Sequence, residues 1–274
     1  MLTDELIRNF REVIWDYFAK HRRDMPWRDD PSPYHVLVSE LMLQQTQVNR
    51  VLPKYEEFMG RFPTIQDLAN ASLADVLAAW SGLGYNRRAK FLHATAQRVA
   101  ADFGGELPRT RDELASLPGI GANTAGALQA YAFNQPVVFV ETNIRTVYFH
   151  HFFQDSTAVD DKELLPLLEQ TVDHEHPREW YWALMDYGTH LKQTIGNNIS
   201  QSRHYARQSK FEGSRRQVRG RILKLLIAGP QSSEQVEAAL ADERVAGVLD
   251  ELMREGMIEQ FEGGLRLTGG LKLP

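Results

Sequence analysis

Cysteine is absent from the whole chain of 274 residues. This excludes disulfide bonds, thiolate zinc sites and iron-sulfur clusters held by cysteine. The histidines that could suggest a metal site are His93, His150, His151, His174 and His176, and no pair of them has convincing ligand spacing with an acidic residue. We therefore expect neither a metal site nor an iron-sulfur cofactor.

Long hydrophobic runs are also absent, since no stretch approaches the roughly 18 apolar residues that a membrane-spanning helix needs. The first residues, MLTDELIRNFREVIWDYF, mix acids, bases and apolar residues and lack the layout of a signal peptide. Hydrophobic residues make up 43% of the chain and charged residues 24%, as in ordinary globular proteins. We expect a cytoplasmic protein without a membrane partner.

Positive charge is outnumbered overall, with 31 Lys and Arg against 36 Asp and Glu, but it is concentrated in one stretch. The chain has a net charge of −5, yet residues 192–224 contain nine Lys or Arg and a single acid, Glu212. Within this stretch Arg203, Arg207 and Lys210 alternate with aromatic residues. Such asymmetry is typical of a strip that binds nucleic acid phosphates, although a solvated linker shows it too.

Helical patterns dominate the sequence, with apolar residues recurring at spacings of three and four. Residues 36–51 are predicted to form one buried helix that Pro53 ends. Thr64 and Ser72 are candidate N-caps with an acid three residues later. The run VVFV at 137–140 favours a strand locally, but the helical neighbours on both sides favour burial between helices. We predict an all-α core.

The composition changes near residue 194, where a polar and basic connector begins. Beyond it the pattern predicts helices followed by a β-hairpin around Gly263 and Gly264, which is the order of elements in a winged helix. The segment 242–256 holds five acids, so it favours packing against protein over entry into a DNA groove. The predicted domains are 1–192, a connector at 193–213, and a winged-helix-like domain at 214–274.

A turn is predicted at LPGIG, where Gly119 and Gly121 permit positive φ angles. A helix is predicted to restart from Thr124 onward. Its first N–H groups lack intrahelical partners and can therefore bind a phosphate. A plain corner between two helices would show the same pattern.

Two acids stand in contrasting local settings. Glu40 lies in the apolar stretch VLVSELMLQQTQV, where loss of water should raise its pKa and suit it to donate a proton. Glu141 precedes a helix start, where N–H groups and the helix dipole favour the charged form. Such a pair can divide acid and base work as in glycoside hydrolysis. A buried ion pair for Glu40 and a simple N-cap for Glu141 remain alternatives.

Four blocks of the sequence resemble a known family. The blocks MPWRDDPSPYHVLVSELMLQQTQV, FPTIQDLANASLADVLAAWSGLGYNRRAKFLH, LPGIGANTAGA and ALMDYG resemble the helix-hairpin-helix (HhH-GPD) DNA glycosylases, above all the MutY-type adenine DNA glycosylases, over roughly residues 5–191. This resemblance implies a two-lobed, all-α enzyme of base excision repair. It would hydrolyse the N-glycosidic bond of a flipped, mispaired base, with adenine as the first expectation.

The same resemblance implies a monomer that binds double-stranded DNA with a mismatch or damaged base. A thymine or uracil mismatch glycosylase remains an alternative, as does a non-catalytic protein that binds mismatches or lesions. The family also allows a monovalent cation at the hairpin carbonyls, which is the one cofactor left open.

The resemblance assigns roles to individual residues. Glu40 would protonate the departing base, and Glu141, supported by Asn143, would stabilise the sugar. Arg28 and Gln45 would line the base pocket, while Gln44 and Tyr85 would enter the DNA stack as a wedge. Phosphates would be bound by the hairpin residues Gly119, Gly121, Asn123 and Thr124 and by the connector residues Arg203, Arg207 and Lys210.

The chain departs from the family pattern at four points. Glu141 stands where the family has Asp, and its extra methylene moves the charge outward by ~1.3 Å. The region from Lys192 onward lacks the family's cluster cysteines. The predicted winged helix replaces a MutT-like domain. Asn123 stands where bifunctional members have a lysine, so no Schiff base can form there and we expect a monofunctional enzyme.

Overall fold

The computed structural model describes residues 1–203, 205 and 210–270 of the chain. Helices dominate these ranges, which confirms the all-α prediction. The α-helices of the described part are α1 Asp4–His21, α2 Pro26–Asp29, α3 Pro33–Leu43, α4 Val48–Arg61, α5 Ile65–Asn70, α6 Leu73–Ala79, α7 Arg87–Asp102, α8 Arg111–Ser116, α9 Ala122–Tyr131, α10 Thr142–Phe152, α11 Asp161–Thr171, α12 Pro177–Thr194, α13 Arg215–Ala228, α14 Ser233–Leu240 and α15 Val245–Arg254.

The remaining regular structure is small. A 3₁₀ helix spans Asn198–Gln201, and strands β1 (Ile258–Phe261) and β2 (Gly264–Leu267) form an antiparallel hairpin in which Ile258 pairs with Leu267. The hairpin predicted around Gly263 and Gly264 is thus confirmed. Among the described residues, no helix combines the length and the apolar character needed to cross a membrane.

The chain divides into two compact units. The first contains residues 1–40, 108–116 and the described residues between 120 and 205; the second contains residues 41–107, 117–119 and 210–270. The division therefore falls inside α3, between Glu40 and Leu41. Helices α13 to α15 belong to the same unit as α4 to α7. The domain limits 1–192, 193–213 and 214–274 stay a prediction.

The core of the first unit is aromatic and lies between α1, α10 and α12. The Phe10 ring lies 5.3 Å from the Tyr148 ring and 6.0 Å from the Trp180 ring, and all three side chains are buried. Gly188 of α12 faces the start of α10, where a Cβ atom would come within 2.5 Å of the Asn143 carbonyl oxygen. This close approach fixes α12 against the helix start that follows Glu141.

The apolar run before Glu141 is extended but joins no sheet. Phe139 and Val140 are buried, and the Tyr181 hydroxyl donates a hydrogen bond of 2.6 Å to the Val137 carbonyl. A Cβ atom on Gly126 of α9 would lie 2.6 Å from the Phe139 Cβ. The expected burial between helices is confirmed, since side-chain packing and not strand pairing holds this run.

The prediction of one helix over residues 36–51 is wrong, because the structure has two helices there with a turn between them. α3 ends at Leu43, residues 44–47 form a turn, and Pro53 lies inside α4 instead of ending it. As the sixth residue of α4, Pro53 deprives only one carbonyl of its helical partner. The N-caps at Thr64 and Ser72 are confirmed, because each hydroxyl accepts the N–H of the acid three residues later at 3.1 Å.

The acids of α15 and of its C-terminal end bind cations of the second unit. Glu251 forms an ion pair with Arg215 at 2.9 Å, and the Glu255 carboxylate accepts bonds from Arg87 and Arg219. Lys90 also donates to the Glu255 carbonyl. These pairs support the packing role that the acidic composition indicated.

Candidate active site

Glu40 lies near the C-terminal end of α3, directly after the buried residues Val38 and Ser39. Its side chain is half-buried, so part of its surface remains accessible. Burial raises the pKa of Glu40 to about 8, and the negative charge of Glu141 is the second cause of the increase. The carboxyl group is therefore largely protonated at neutral pH, which is the state a proton donor needs.

Glu141 is the N-cap of α10. Its Oε1 atom accepts hydrogen bonds from the backbone N–H groups of Asn143 at 2.6 Å and of Ile144 at 2.9 Å. Both bonds use one oxygen, and Oε2 makes no hydrogen bond with the described residues. The N-cap and the sugar-facing anion are therefore compatible, because one carboxylate oxygen can cap the helix while the other meets a ligand.

The electrostatic setting of Glu141 differs from the expectation. Burial raises the pKa of Glu141, whereas the Ile144 N–H, Lys192, the Asn143 N–H and Arg145 lower it, and the net direction is upward. The helix start favours the charged form as predicted. The larger effect is the loss of water around the side chain, whose size depends on tertiary packing.

Lys192 supports Glu141 and was not singled out as a site residue by the sequence. Its Nζ atom donates a hydrogen bond of 2.7 Å to Asn143 Oδ1, and the Asn143 amide also lies 3.7 Å from Met185 Sδ. Burial lowers the pKa of Lys192, while the charge of Glu141 raises it. The available signal was position, because Lys192 begins the region that departs from the family's cysteine pattern.

Tyr131 is a second residue that sequence reasoning missed. It ends α9, is 6% exposed, and its buried hydroxyl has no hydrogen-bond partner among the described residues. Burial raises its pKa well above the usual value, with the charges of Glu40 and then Glu141 as further causes. An unpartnered buried hydroxyl costs about 1–3 kcal/mol. The charges of both acids therefore act on this hydroxyl.

Arg28, predicted to line the base pocket, is 5% exposed and forms a two-pronged ion pair with Asp186. Nη1 donates to Oδ2 at 2.9 Å and Nη2 to Oδ1 at 2.8 Å, and the guanidinium group lies 5.4 Å from the Trp182 ring centroid. Arg23 binds the same carboxylate. The structure thus links α2 to α12 through Arg28, while its pocket role stays a prediction.

The residues predicted to form the wedge, Gln44 and Tyr85, lie on two turns of the second unit. Gln44 occupies the turn after α3 together with Gln45, which was predicted to line the base pocket, and Tyr85 follows Gly84 in a second turn. The wedge and pocket roles stay predictions. Gln45 has a φ angle of 55° and Tyr85 one of 49°. This left-handed conformation costs residues other than glycine of order 1–3 kcal/mol and is common at functional sites.

Arg88 joins the two turns and is a third missed residue. Nη1 donates to the carbonyls of Leu41, Met42 and Gln44 at 2.8, 2.9 and 2.6 Å, and Nη2 donates to the Gly84 carbonyl at 3.1 Å. Arg88 is 7% exposed, and burial lowers its pKa to about 10. Because it binds the last carbonyls of α3, the helix ends there and the turn is held in place.

The two glycines of the hairpin behave differently. Gly119 has a φ angle of 75°, and a Cβ there would lie 2.6 Å from the Phe91 Cβ, so both space and backbone require glycine. Gly121 is the N-cap of α9 with an ordinary extended backbone, which corrects the expectation of positive φ at this position. α9 begins at Ala122, two residues before the predicted start at Thr124, so Asn123 and Thr124 both lie in its first turn.

The basic connector is described only in part. Arg203 is exposed and forms an ion pair with Asp160 at 3.2 Å, and Lys210 is also exposed. Arg207 lies outside the described residues. Phosphate binding by these three residues stays a prediction. Within the described ranges, no group of three or more His, Asp or Glu side chains is arranged to hold a metal ion.

Comparison with known proteins decides the family. Residues 38–172 match the family described as HhH-GPD superfamily base excision DNA repair protein. An adenine DNA glycosylase of Mycolicibacterium smegmatis is 34% identical over 272 residues, which cover 92% of this chain and 93% of that relative. The chain belongs to the HhH-GPD superfamily.

Other HhH-GPD relatives match a smaller share. The adenine DNA glycosylase of Buchnera aphidicola subsp. Baizongia pistaciae is 37% identical over 183 residues, covering 65% of this chain, and the match spans about half (51%) of that relative. Among solved structures, a thermostable thymine-DNA glycosylase has a TM-score of 0.62 and 27% identity, with 68% of this chain and 87% of that chain covered. The predicted resemblance is confirmed at the level of family and fold.

Proposed function

We propose that this protein is a DNA N-glycosylase that removes adenine from a mispair in double-stranded DNA. The observation that carries the proposal is the acid pair, in which Glu40 has a pKa of about 8 and Glu141 lies at the start of α10. A similar relative over nearly the full chain is an adenine DNA glycosylase, which supports the choice of base.

In the proposed reaction, Glu40 donates its proton to the flipped base. Protonation makes the base a better leaving group, so the bond between C1′ and the base nitrogen breaks and its electron pair stays with the base. The sugar becomes an oxocarbenium-like cation. Water then attacks C1′ and releases a proton to the Glu40 carboxylate, which restores the starting enzyme.

Glu141 stabilises the sugar cation as its positive charge develops. The backbone N–H groups of Asn143 and Ile144 hold Oε1, which leaves Oε2 for the sugar. Lys192 and Arg145 favour the charged form of this carboxylate against burial. A fixed anion of this kind acts most strongly where water is excluded. Compared with the Asp of the family pattern, the longer side chain of Glu141 serves partly to reach the N–H groups that it caps.

In this proposal, residues of the second unit open the base stack so that the target base can leave the duplex. Gln44 and Tyr85 lie on turns whose backbone is held by one buried arginine, Arg88. Enzymes that act on a base must take it out of the stack, at a cost of a few kcal/mol. Rigid turns suit this work because they lose little freedom when DNA binds.

The test is a panel of duplexes, each with one defined mispair, incubated with the protein and then treated with alkali. We expect strand breaks at adenine after alkali with wild-type protein, and none with Glu40→Gln. Glu56→Gln, an exposed glutamate of α4, is the matched control and should equal wild type. Failure of the wild-type protein to release a base from any duplex would contradict the proposal and favour a binding protein.

A second candidate is a thymine mismatch glycosylase. The similarity to the solved thymine-DNA glycosylase favours it, because that match extends over 68% of this chain. The same panel of duplexes separates the two candidates, because a thymine glycosylase would give strand breaks after alkali at thymine opposite guanine instead of at adenine.

A further inference from the structure

Helix α13, the first helix of the C-terminal segment 214–270, contacts the turn that carries Tyr85. Arg216 of α13 donates a hydrogen bond of 2.6 Å from Nη1 to the Tyr85 hydroxyl, across 131 positions of sequence. Its guanidinium carbon also lies 5.6 Å from the centroid of the Tyr85 ring. Arg88 lies 5.2 Å from the same ring. Two guanidinium groups therefore restrain one aromatic side chain.

Arg216 is itself held by a fixed support. One turn further along α13, Arg219 donates to Glu255 Oε1 at 3.1 Å, and Arg87, two residues after Tyr85, donates to the same atom at 3.0 Å. Glu255 thus connects α13 to the start of α7. Bonds between ionised partners are stronger than neutral ones, so α13 presents Arg216 to Tyr85 in a defined position.

Tyr85 needs such restraint. Its φ angle of 49° is one that tyrosine rarely adopts, and it follows Gly84, whose φ angle is 74°. Arg88 binds the backbone of this turn at Gly84, whereas Arg216 binds the hydroxyl at the far end of the ring. Backbone and side chain are therefore fixed by two separate arginines.

We propose that Arg216 is a positioning residue for Tyr85, through which the C-terminal segment 214–270 sets the discrimination between bases opposite the excised one. The inference rests on the proposed function, in which the Tyr85 ring enters the stack beside the base that remains. A ring held at its hydroxyl enters at one angle and fits one partner better than others. A ring free to rotate fits several partners alike.

The experiment measures single-turnover excision at saturating enzyme from duplexes with adenine opposite each of the four ordinary bases. For Arg216→Ala we expect about a tenfold lower rate on the best duplex, the scale of a lost hydrogen bond to a charged group, with less change on the worst. Tyr85→Phe should reduce the ratio of the best to the worst rate in the same way. The double variant should be no worse than the worse single one. Arg221→Ala, an exposed arginine of α13, should leave the ratio of best to worst rates unchanged.

Two further measurements separate positioning from other roles. A phosphate contact would weaken binding to every duplex alike and reduce the salt slope by about one, leaving the ratio of rates intact; that result would overturn the inference. A purely structural role would lower the melting temperature with the ratio unchanged, which would also overturn it. Arg216→Lys should recover part of the ratio, because the charge and one donor remain.

Failure of the inference is distinguishable from failure of the proposed function. In the Glu40→Gln background, fluorescence of 2-aminopurine next to the mispair reports unstacking without base release. We expect a rise with Glu40→Gln alone and a smaller rise after adding Arg216→Ala. Equal rises, together with intact adenine excision by the wild-type protein, would overturn the inference and leave the proposed function standing.

Discussion

The acid pair and the wedge turns use burial in opposite ways. In the first unit, burial changes the proton affinity of Glu40, which exchanges a proton in the proposed reaction and whose pKa rises to about 8. In the second unit, the buried group is Arg88, whose pKa of about 10 leaves it charged at neutral pH. Burial thus adjusts the protonation of Glu40, which titrates near neutral pH. Arg88 stays charged when buried, so it can hold the backbone of the two turns in place.

The supports of the two regions differ accordingly. Glu141 is held by N–H groups two and three residues ahead of it and by Lys192 acting through Asn143. The wedge turns are held by arginine side chains that bind carbonyls and one hydroxyl. Substitutions at the acid pair should therefore lower the excision rate with little loss of stability. Substitutions at the wedge turns should lower the free energy of unfolding and the discrimination between opposing bases.

The strongest test of the acid site is Glu40→Gln. Loss of general acid catalysis typically costs ~10²–10⁴ in rate, and we expect base release to fall by that amount while mismatch binding stays within about tenfold of wild type. Single-turnover excision and a binding titration measure the two. Full activity of this variant would contradict the role of Glu40.

Glu141→Gln should lower excision by ~10², the scale of a lost preorganised electrostatic contact. Glu141→Asp is the sharper comparison, because it keeps the charge and shortens the arm. We expect it to lose activity as well, since the site is built around one oxygen in the cap and one toward the sugar. Wild-type rates for both variants would reduce Glu141 to an N-cap.

Arg88→Leu tests the wedge side of the comparison. Carbonyls of Leu41, Met42, Gln44 and Gly84 would lose this donor. We expect a loss of at least about 4 kcal/mol in the free energy of unfolding, given about 1–3 kcal/mol for each buried group left unpaired. Denaturant unfolding measures it.

The control for Arg88→Leu is Arg98→Leu on the same helix, which breaks an exposed ion pair with Asp102. Such pairs contribute roughly 0–1 kcal/mol. Equal losses in the two variants would contradict the proposed part of Arg88.

The smallest expected effect is that of Lys192→Met, about a tenfold lower rate, as for the loss of a hydrogen bond to a charged group. The sign of its pH effect is definite. Removing a nearby cation disfavours the charged carboxylate, so the pKa of Glu141 rises and the acidic limb of the rate profile moves to higher pH. The basic limb, set by Glu40 at about pH 8, should stay. An unmoved acidic limb would separate Lys192 from Glu141.

Local features were predictable from sequence because their partners lie within a few residues. The caps at Thr64, Ser72 and Glu141 each bind N–H groups two or three positions ahead. The direction of the Glu40 pKa shift was predictable because the apolar residues around it in sequence indicated burial, although the packing of the fold supplies that burial. The helix 36–51 was mispredicted because Arg88, more than 40 positions away, binds the carbonyls at which α3 ends.

What the sequence by itself determined is the helical content, the caps, the hairpins, the family and the two acids. Only the tertiary structure decided which groups support them. Lys192 meets Asn143 across 49 positions, Arg216 meets Tyr85 across 131, and Asp186 meets Arg28 across 158. Periodicity and capping act through neighbours in the chain, whereas burial and charge pairing depend on which distant side chains the folded helices bring together.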